Sequence, residues 1–289
     1  MKSIKSALLL SAIFVFSVSY AQDKPAYILY NKEGKEVKYS KLEKALDGKN
    51  VILFGEHHDS PISHWLELQL TKSLFAVDSN MVLGAEMFEA DDQVILNEYL
   101  DDKIDDKLLD SEAKLWKNYE TDYEPLVLFA KEHHLPFVAT NIPRRYARMV
   151  SKRGLETLDS IAPKAKEWIA PLPIEVDLNL PGYKNMIETM GSHMPGNVEN
   201  MARAQASKDA TMAYFILKNL GEGPFIHFNG AYHSNNYDGI NYYLLKGKPD
   251  IHILTISTVK QDNINSLEEE NVGIADFIIC YPSDMTTTY

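Results

Sequence analysis

Val51-Ile52-Leu53-Phe54-Gly55-Glu56-His57-His58-Asp59 opens with four apolar residues and closes with five that carry no apolar side chain. An apolar run without alternation reads as a strand buried on both faces, as in parallel or mixed sheets. Gly55 permits a sharp turn and lets the residues after it point into a crevice. Ser60 and Pro61 then supply an N-cap and a first helical position for the periodic run Trp65, Leu66, Leu68, Leu70, Leu74, Phe75. The polar cluster therefore sits at the carboxyl end of a buried strand, just before a helix. Open α/β sheets bind their ligands there.

The same pattern recurs along the chain. Residues 81–85 form an apolar run ending at Glu86, and 136–139 run into Thr140-Asn141-Ile142-Pro143-Arg144-Arg145-Tyr146. Residues 224–228 lead to Asn229-Gly230-Ala231-Tyr232-His233. Further strands are predicted over 26–30, 251–256 and 277–281, and helices over 39–46, 91–100, 125–134 and 198–220. Strand and helix alternate, which predicts an α/β fold: a central parallel or mixed sheet with helices on both faces. The acidic stretch 101–120 reads as a solvated helical face. Residues 155–200 hold Pro163, Pro171, Pro173, Pro181 and Pro195 without a strand pattern, which predicts a helical and irregular cap inserted over the site. His227 and His252 lie in apolar runs and read as core imidazoles.

The ends and the composition narrow the class. Lys2 and Lys5, an apolar segment over 7–18 and Ser19-Tyr20-Ala21 read as a signal peptide over 1–21, which leaves one domain over 22–289. The apolar segment falls short of the roughly 18 residues a spanning helix needs, so no transmembrane segment is expected after cleavage. No Cys follows it, so the chain reads as soluble and periplasmic, without a lipid anchor. A formal charge of −12 argues against nucleic acid and anionic membranes as partners. The one cysteine, Cys280, lies in an apolar run and reads as a buried strand residue.

Gly55-Glu56-His57-His58 and Gly230-Ala231-Tyr232-His233 each follow an apolar strand with Gly-x-x-His. Two such turns predict a duplicated half-fold with His58 and His233 meeting across the sheet. Glu86 leaves a third strand end, and Glu56 and Asp59 leave the first. Two imidazoles with carboxylates suit a divalent transition metal that keeps open positions, and such a site could activate water against an ester or amide. Without a metal, a Glu–His pair could act as general base and partner. Glu56, His58, Glu86 and His233 are thus the candidate catalytic and metal-ligating residues. His64, on the first turns of the next helix, either reaches the same crevice or faces solvent. The chain has no Gly-x-Ser-x-Gly elbow, no Walker loop and no Gly-x-Gly-x-x-Gly.

Gly55-Glu56-His57-His58-Asp59-Ser60-Pro61 with His64 and Gln69 resembles the opening motif of the ChaN-like haem-binding proteins. So does Leu83-Gly84-Ala85-Glu86-Met87-Phe88-Glu89 with Gln93. The resemblance continues through Tyr123-Glu124-Pro125-Leu126-Val127, Asn141-Ile142-Pro143-Arg144, Lys208-Asp209-Ala210-Thr211-Met212-Ala213 and Gly230-Ala231-Tyr232-His233. That family is similar in fold to the Tiki metalloproteases and the erythromycin esterases. The resemblance implies an extracytoplasmic, iron-regulated haem-binding protein of iron acquisition, with haem held through a Tyr at a homodimer interface. Family members are often lipoproteins, and here the chain departs from them. Tyr146 is a candidate iron ligand, because the neighbouring Arg144 and Arg145 could pair with propionates. Tyr183 and His193 in the cap, and His64, are further candidate haem contacts. Two functions stand side by side: haem binding, or a metal-dependent peptidase or esterase.

Overall fold

The computed structural model describes residues 24–191 and 198–289. The expected leader over 1–21 and His193 lie outside the described residues. Seven strands, β1 (Ile28–Asn31), β2 (Val51–Glu56), β3 (Val82–Glu89), β4 (Phe137–Asn141), β5 (Phe225–Gly230), β6 (Ile253–Gln261) and β7 (Phe277–Pro282), form one sheet. Its order is β1-β7-β6-β2-β5-β3-β4. Every pairing is parallel except that of β1 with β7, which is antiparallel. The helices are α1 (Tyr39–Ala45), α2 (Pro61–Val77), α3 (Gln93–Leu100), α4 (Asp106–Glu112), α5 (Glu124–Glu132), α6 (Arg144–Arg153), α7 (Pro181–Gly191), α8 (Val198–Lys218) and α9 (Ile240–Gly247).

The unalternating run in β2 is explained by what lies on each side. Ile52 and Phe54 join one core with Leu66, Leu70 and Leu74 of α2 and Leu126 and Val127 of α5. Val51 and Leu53 point the other way, onto Met212, Ala213 and Ile216 of α8 and Ile240 and Leu244 of α9. Successive strand residues face opposite ways, so a strand covered twice is apolar at every position. The sheet is accordingly mixed, with helices on both faces. Ser60 caps α2 as read, its hydroxyl accepting from the Ser63 N–H at 3.2 Å, with Pro61 at the first turn.

Residues 155–176 pack Leu158, Ala165 and Ile169 against Tyr146, Ala147 and Val150 of α6 and Ala204 of α8. The start of α7 is tied to the loop after β5: Gly182 N–H donates to Asp238, and the Tyr232 hydroxyl donates to the Gly182 carbonyl at 2.8 Å. Asp101, Asp102, Asp105 and Asp106 are exposed. One expectation fails. His252 is exposed, because β6 begins one residue later at Ile253 and the His252 N–H is spent on the Asn50 side chain in the preceding loop. His227 is a core imidazole, fully buried between Thr140 at 2.7 Å and Asn229 at 3.1 Å. Burial pushes it down to about 4, so it is neutral in the fold. Among the described residues, no helix is long and apolar enough to cross a membrane.

Candidate functional site

β2 and β5 are adjacent at the centre of the sheet, with Glu56 opposite Gly230. Their Gly-x-x-His turns therefore lie side by side. β3 pairs the other edge of β5, and its register with β4 shifts between Ala85 and Glu89. Such an irregularity re-aims side chains, and here it accompanies Glu86. The Glu86 carboxylate accepts the Gly230 N–H at 2.9 Å and lies 3.0 Å from His233 Nε2. Gly230 is needed for close approach: a Cβ there would sit 2.9 Å from the His58 ring.

Two chains of buried polar groups meet at this point. In one, Asp209 of α8 pairs with His233 Nδ1 and accepts the Tyr183 hydroxyl at 2.6 Å. In the other, Glu56 Oε1 receives His58 Nδ1 at 2.6 Å and the Tyr123 hydroxyl at 2.8 Å. His64 stands behind Glu56, with Nδ1 at 3.2 Å from both Glu56 Oε2 and Glu67 Oε2. Its Nε2 lies 3.1 Å from the His58 carbonyl and 3.4 Å from Asp122. All the carboxylates in both chains are buried.

Burial opposes charge on every one of these groups, and on His233, Glu86 and His64 their pairing overrides it. Burial lowers His233, but Glu86 and Asp209 outweigh it and lift the imidazole to about 9. Burial raises Glu86, yet His233 holds it well below the usual carboxylate range. His64 is lifted to about 11 by Glu56 and Glu67 against its burial, while burial and the charge of Glu56 push Glu67 well upward. The sign for His233 follows from its raised value. The unfolded imidazole titrates near 6.5, so the stabilisation is complete below that pH and is lost as pH rises through about 9. Wild type should lose up to about 3 kcal/mol across that window. Denaturant titrations at its two ends check this, and an equal loss in His233→Gln would show that another group is responsible.

Part of this network lines a cavity of about 690 Å³. Glu56, His58, Glu86 and His233 all reach it, with His57, Gln205, Lys208, Tyr232 and Lys260. Among these four, His58 pairs with Glu56 and His233 with Glu86. Tyr146 and Tyr183 do not line the cavity. Tyr146 packs in the α6 core under the Arg145 guanidinium, and Tyr183 is 2 % exposed with its hydroxyl given to Asp209. Arg144 is exposed on another surface beside Glu89, Lys114 and Arg148. His64 follows neither of its two readings: it is buried behind Glu56 and does not line the cavity.

Sequence reasoning did not single out Glu67, Asp122, Tyr123, Gln205 or Asp209 as site residues. A signal existed for two of them. Glu67 shares the buried stripe of α2 with Ser63, Leu70 and Leu74, and Asp209 that of α8 with Ala202, Ala206, Ala213 and Ile216. A carboxylate within an apolar stripe must be paired.

Comparison with known proteins agrees with the architecture. A family model described as "Haem-binding uptake, Tiki superfamily, ChaN" matches residues 42–244. A solved structure described as cofacial heme binding to ChaN of Campylobacter jejuni superposes with a TM-score of 0.68 at 16 % identity, covering 88 % of this chain and 96 % of that one. An erythromycin esterase mutant in its open conformation gives a TM-score of 0.47 at 11 % identity, over 90 % of this chain and 83 % of that one. Protein RETICULATA-RELATED 5 of Arabidopsis thaliana, a chloroplastic protein, is 28 % identical over 123 residues, 40 % of this chain and 17 % of the plant protein.

Proposed function

The chain belongs to the ChaN haem-binding uptake family of the Tiki superfamily, and from that premise we propose that it binds haem in the cavity at the carboxyl edge of the sheet. The match across residues 42–244 is the observation that carries this reading. Iron acquisition outside the cytoplasm, and a homodimer, belong to the same proposal, following the leader-like sequence over 1–21 and the family resemblance.

The cavity lining fits the group. An iron porphyrin needs an axial donor, cations for its propionates and a flat surface beside its ring. Lys208 and Lys260 supply the cations, and the rings of Tyr232 and Tyr289 lie at the same cavity. Tyr232 is 38 % exposed and lies at the cavity, and we assign it as the iron ligand, which requires its hydroxyl to leave the Gly182 carbonyl and lose its proton. His58 stands beside it with Nδ1 fixed by Glu56, which turns the other imidazole nitrogen toward Gly230. Bound haem would supply an iron centre; the protein's part is to hold it, orient it and neutralise the propionates.

Haemin titration followed at the Soret band tests the reading. A saturable transition is expected, and Tyr232→Phe should abolish the phenolate-to-iron charge-transfer features and weaken binding at least about tenfold, the scale of a lost ligand. Tyr146→Phe should leave the spectrum unchanged. Uptake by wild type that never saturates would reject haem binding, and an unaltered Tyr232→Phe spectrum would place the iron on another residue. Sedimentation of the haem-loaded protein reads the dimer directly.

A further inference from the structure

We propose that Glu56, His64 and Glu67 form a buried site for a divalent first-row cation such as Zn(II) or Mn(II), beneath the cavity floor and separate from any haem. This goes beyond haem binding and does not depend on it.

The argument begins with the hydrogen-bonding roles of His64. Its Nε2 faces the His58 carbonyl at 3.1 Å, an acceptor that can only receive a proton, so Nε2 carries one. Nδ1 then faces Glu56 Oε2 and Glu67 Oε2, each at 3.2 Å. Three groups that each offer lone pairs meet at this point, so it must hold either protons, on Nδ1 or on the Glu67 carboxyl, or a metal ion. A single proton points along one line, and charge-assisted N–H···O contacts close to about 2.7–2.9 Å. Both distances exceed that range. They do suit neighbouring donors around one ion with metal–ligand bonds of about 2.0–2.2 Å.

Two further observations point the same way. Glu56 Oε2 and Glu67 Oε1 are buried without a well-aligned hydrogen-bond donor among the described residues, although Glu56 is 1 % and Glu67 0 % exposed. Orphaned carboxylate oxygens at that depth are costly unless a cation takes them. The surroundings also have the form of an outer shell. Metal-bound imidazoles hand their second N–H to a carbonyl or carboxylate, and here the His58 carbonyl and Asp122 occupy that place. Tyr123 and His58 fix the other oxygen of Glu56. Imidazole with carboxylates suits zinc and manganese, and Glu56, at the cavity wall, gives the ion a route in.

The site differs from a centre at the strand ends by its imidazole count, which makes a decisive experiment available on unmodified, haem-free protein. Chelator-stripped protein is titrated with Mn(II) and examined by pulsed EPR for coordinated nitrogen. One bound ion with a single imidazole nitrogen is the expected result. Two nitrogens would place the ion between His58 and His233, and no stoichiometric binding would leave a proton on His64; either overturns the proposal. With Zn(II), Glu67→Gln should weaken affinity at least about tenfold and Asp122→Asn by about tenfold, while His252→Ala, exposed before β6, changes nothing. Undiminished affinity in Glu67→Gln would overturn it as well. Should that variant not fold, the nitrogen count on wild type decides alone. Haem uptake is scored separately, so either reading can fail without the other.

Discussion

Replacing Asp209 with alanine is expected to cost about 3–5 kcal/mol of folding stability, the scale on which removing one partner of a buried ion pair acts. Asp209 is fully buried, and it alone holds both His233 Nδ1 and the Tyr183 hydroxyl. Its loss takes the acceptor from His233 Nδ1 and from the Tyr183 hydroxyl at a fully buried point. Glu86 would then face His233 without the second carboxylate that keeps the ring charged. For a chain of this length the change corresponds to a drop in Tm on the order of 10 °C. Tyr183→Phe should cost less, about 1–2 kcal/mol, because it removes one donor and strands no charge. Thermal and denaturant unfolding of the two variants measure both. If Asp209→Ala melts within a degree or two of wild type, Glu86 alone suffices to hold His233 and the site's electrostatics need redrawing.

Gly239→Ala is expected to be comparably severe, at about 3–5 kcal/mol from backbone strain and overpacking together. Gly239 has φ of +53° with ψ of −115°, a region in which a side chain is strained. A Cβ there would also run into the carbonyl oxygen of His233 and approach the Asp209 carboxyl carbon at 3.2 Å. The turn into α9 thus presses on the backbone that aims His233. The variant should lose stability and perturb His233 together, which histidine NMR shifts in the folded fraction report. Gly221→Ala, where a Cβ meets nothing within 4 Å, is the control and should be close to neutral. Equal behaviour of the two would mean the turn relaxes freely.

Strand ends announce themselves in this sequence, and helix-borne site residues do not. Glu56, Glu86 and His233 follow apolar runs that only a doubly covered strand explains, so both their position and their convergence could be read before any coordinates. His64 was reachable from its place on the first turns of α2, but not its burial, which depends on Asn118, Asp122 and Tyr123 arriving from the end of an acidic stretch. That stretch starts with exposed aspartates and ends in buried polar residues, and its composition averages the two away. Tyr146 and Tyr183 show the opposite error. A tyrosine beside arginines or within a proline-rich segment has the composition of a ligand site, yet packing against α6 and α8 decides where its hydroxyl points.

The placement of β5 between β2 and β3 carries a consequence for how the molecule comes to exist. These parallel partners are drawn from opposite ends of the chain. Closing so long a loop is an entropic debt met before any contact returns energy, and topologies dominated by such pairings fold slowly. Until β5 inserts, β2 and β3 each present an open apolar edge of the kind that pairs with other chains. During synthesis the N-terminal half therefore waits, adhesive and without its cavity, for a strand that emerges last among the three.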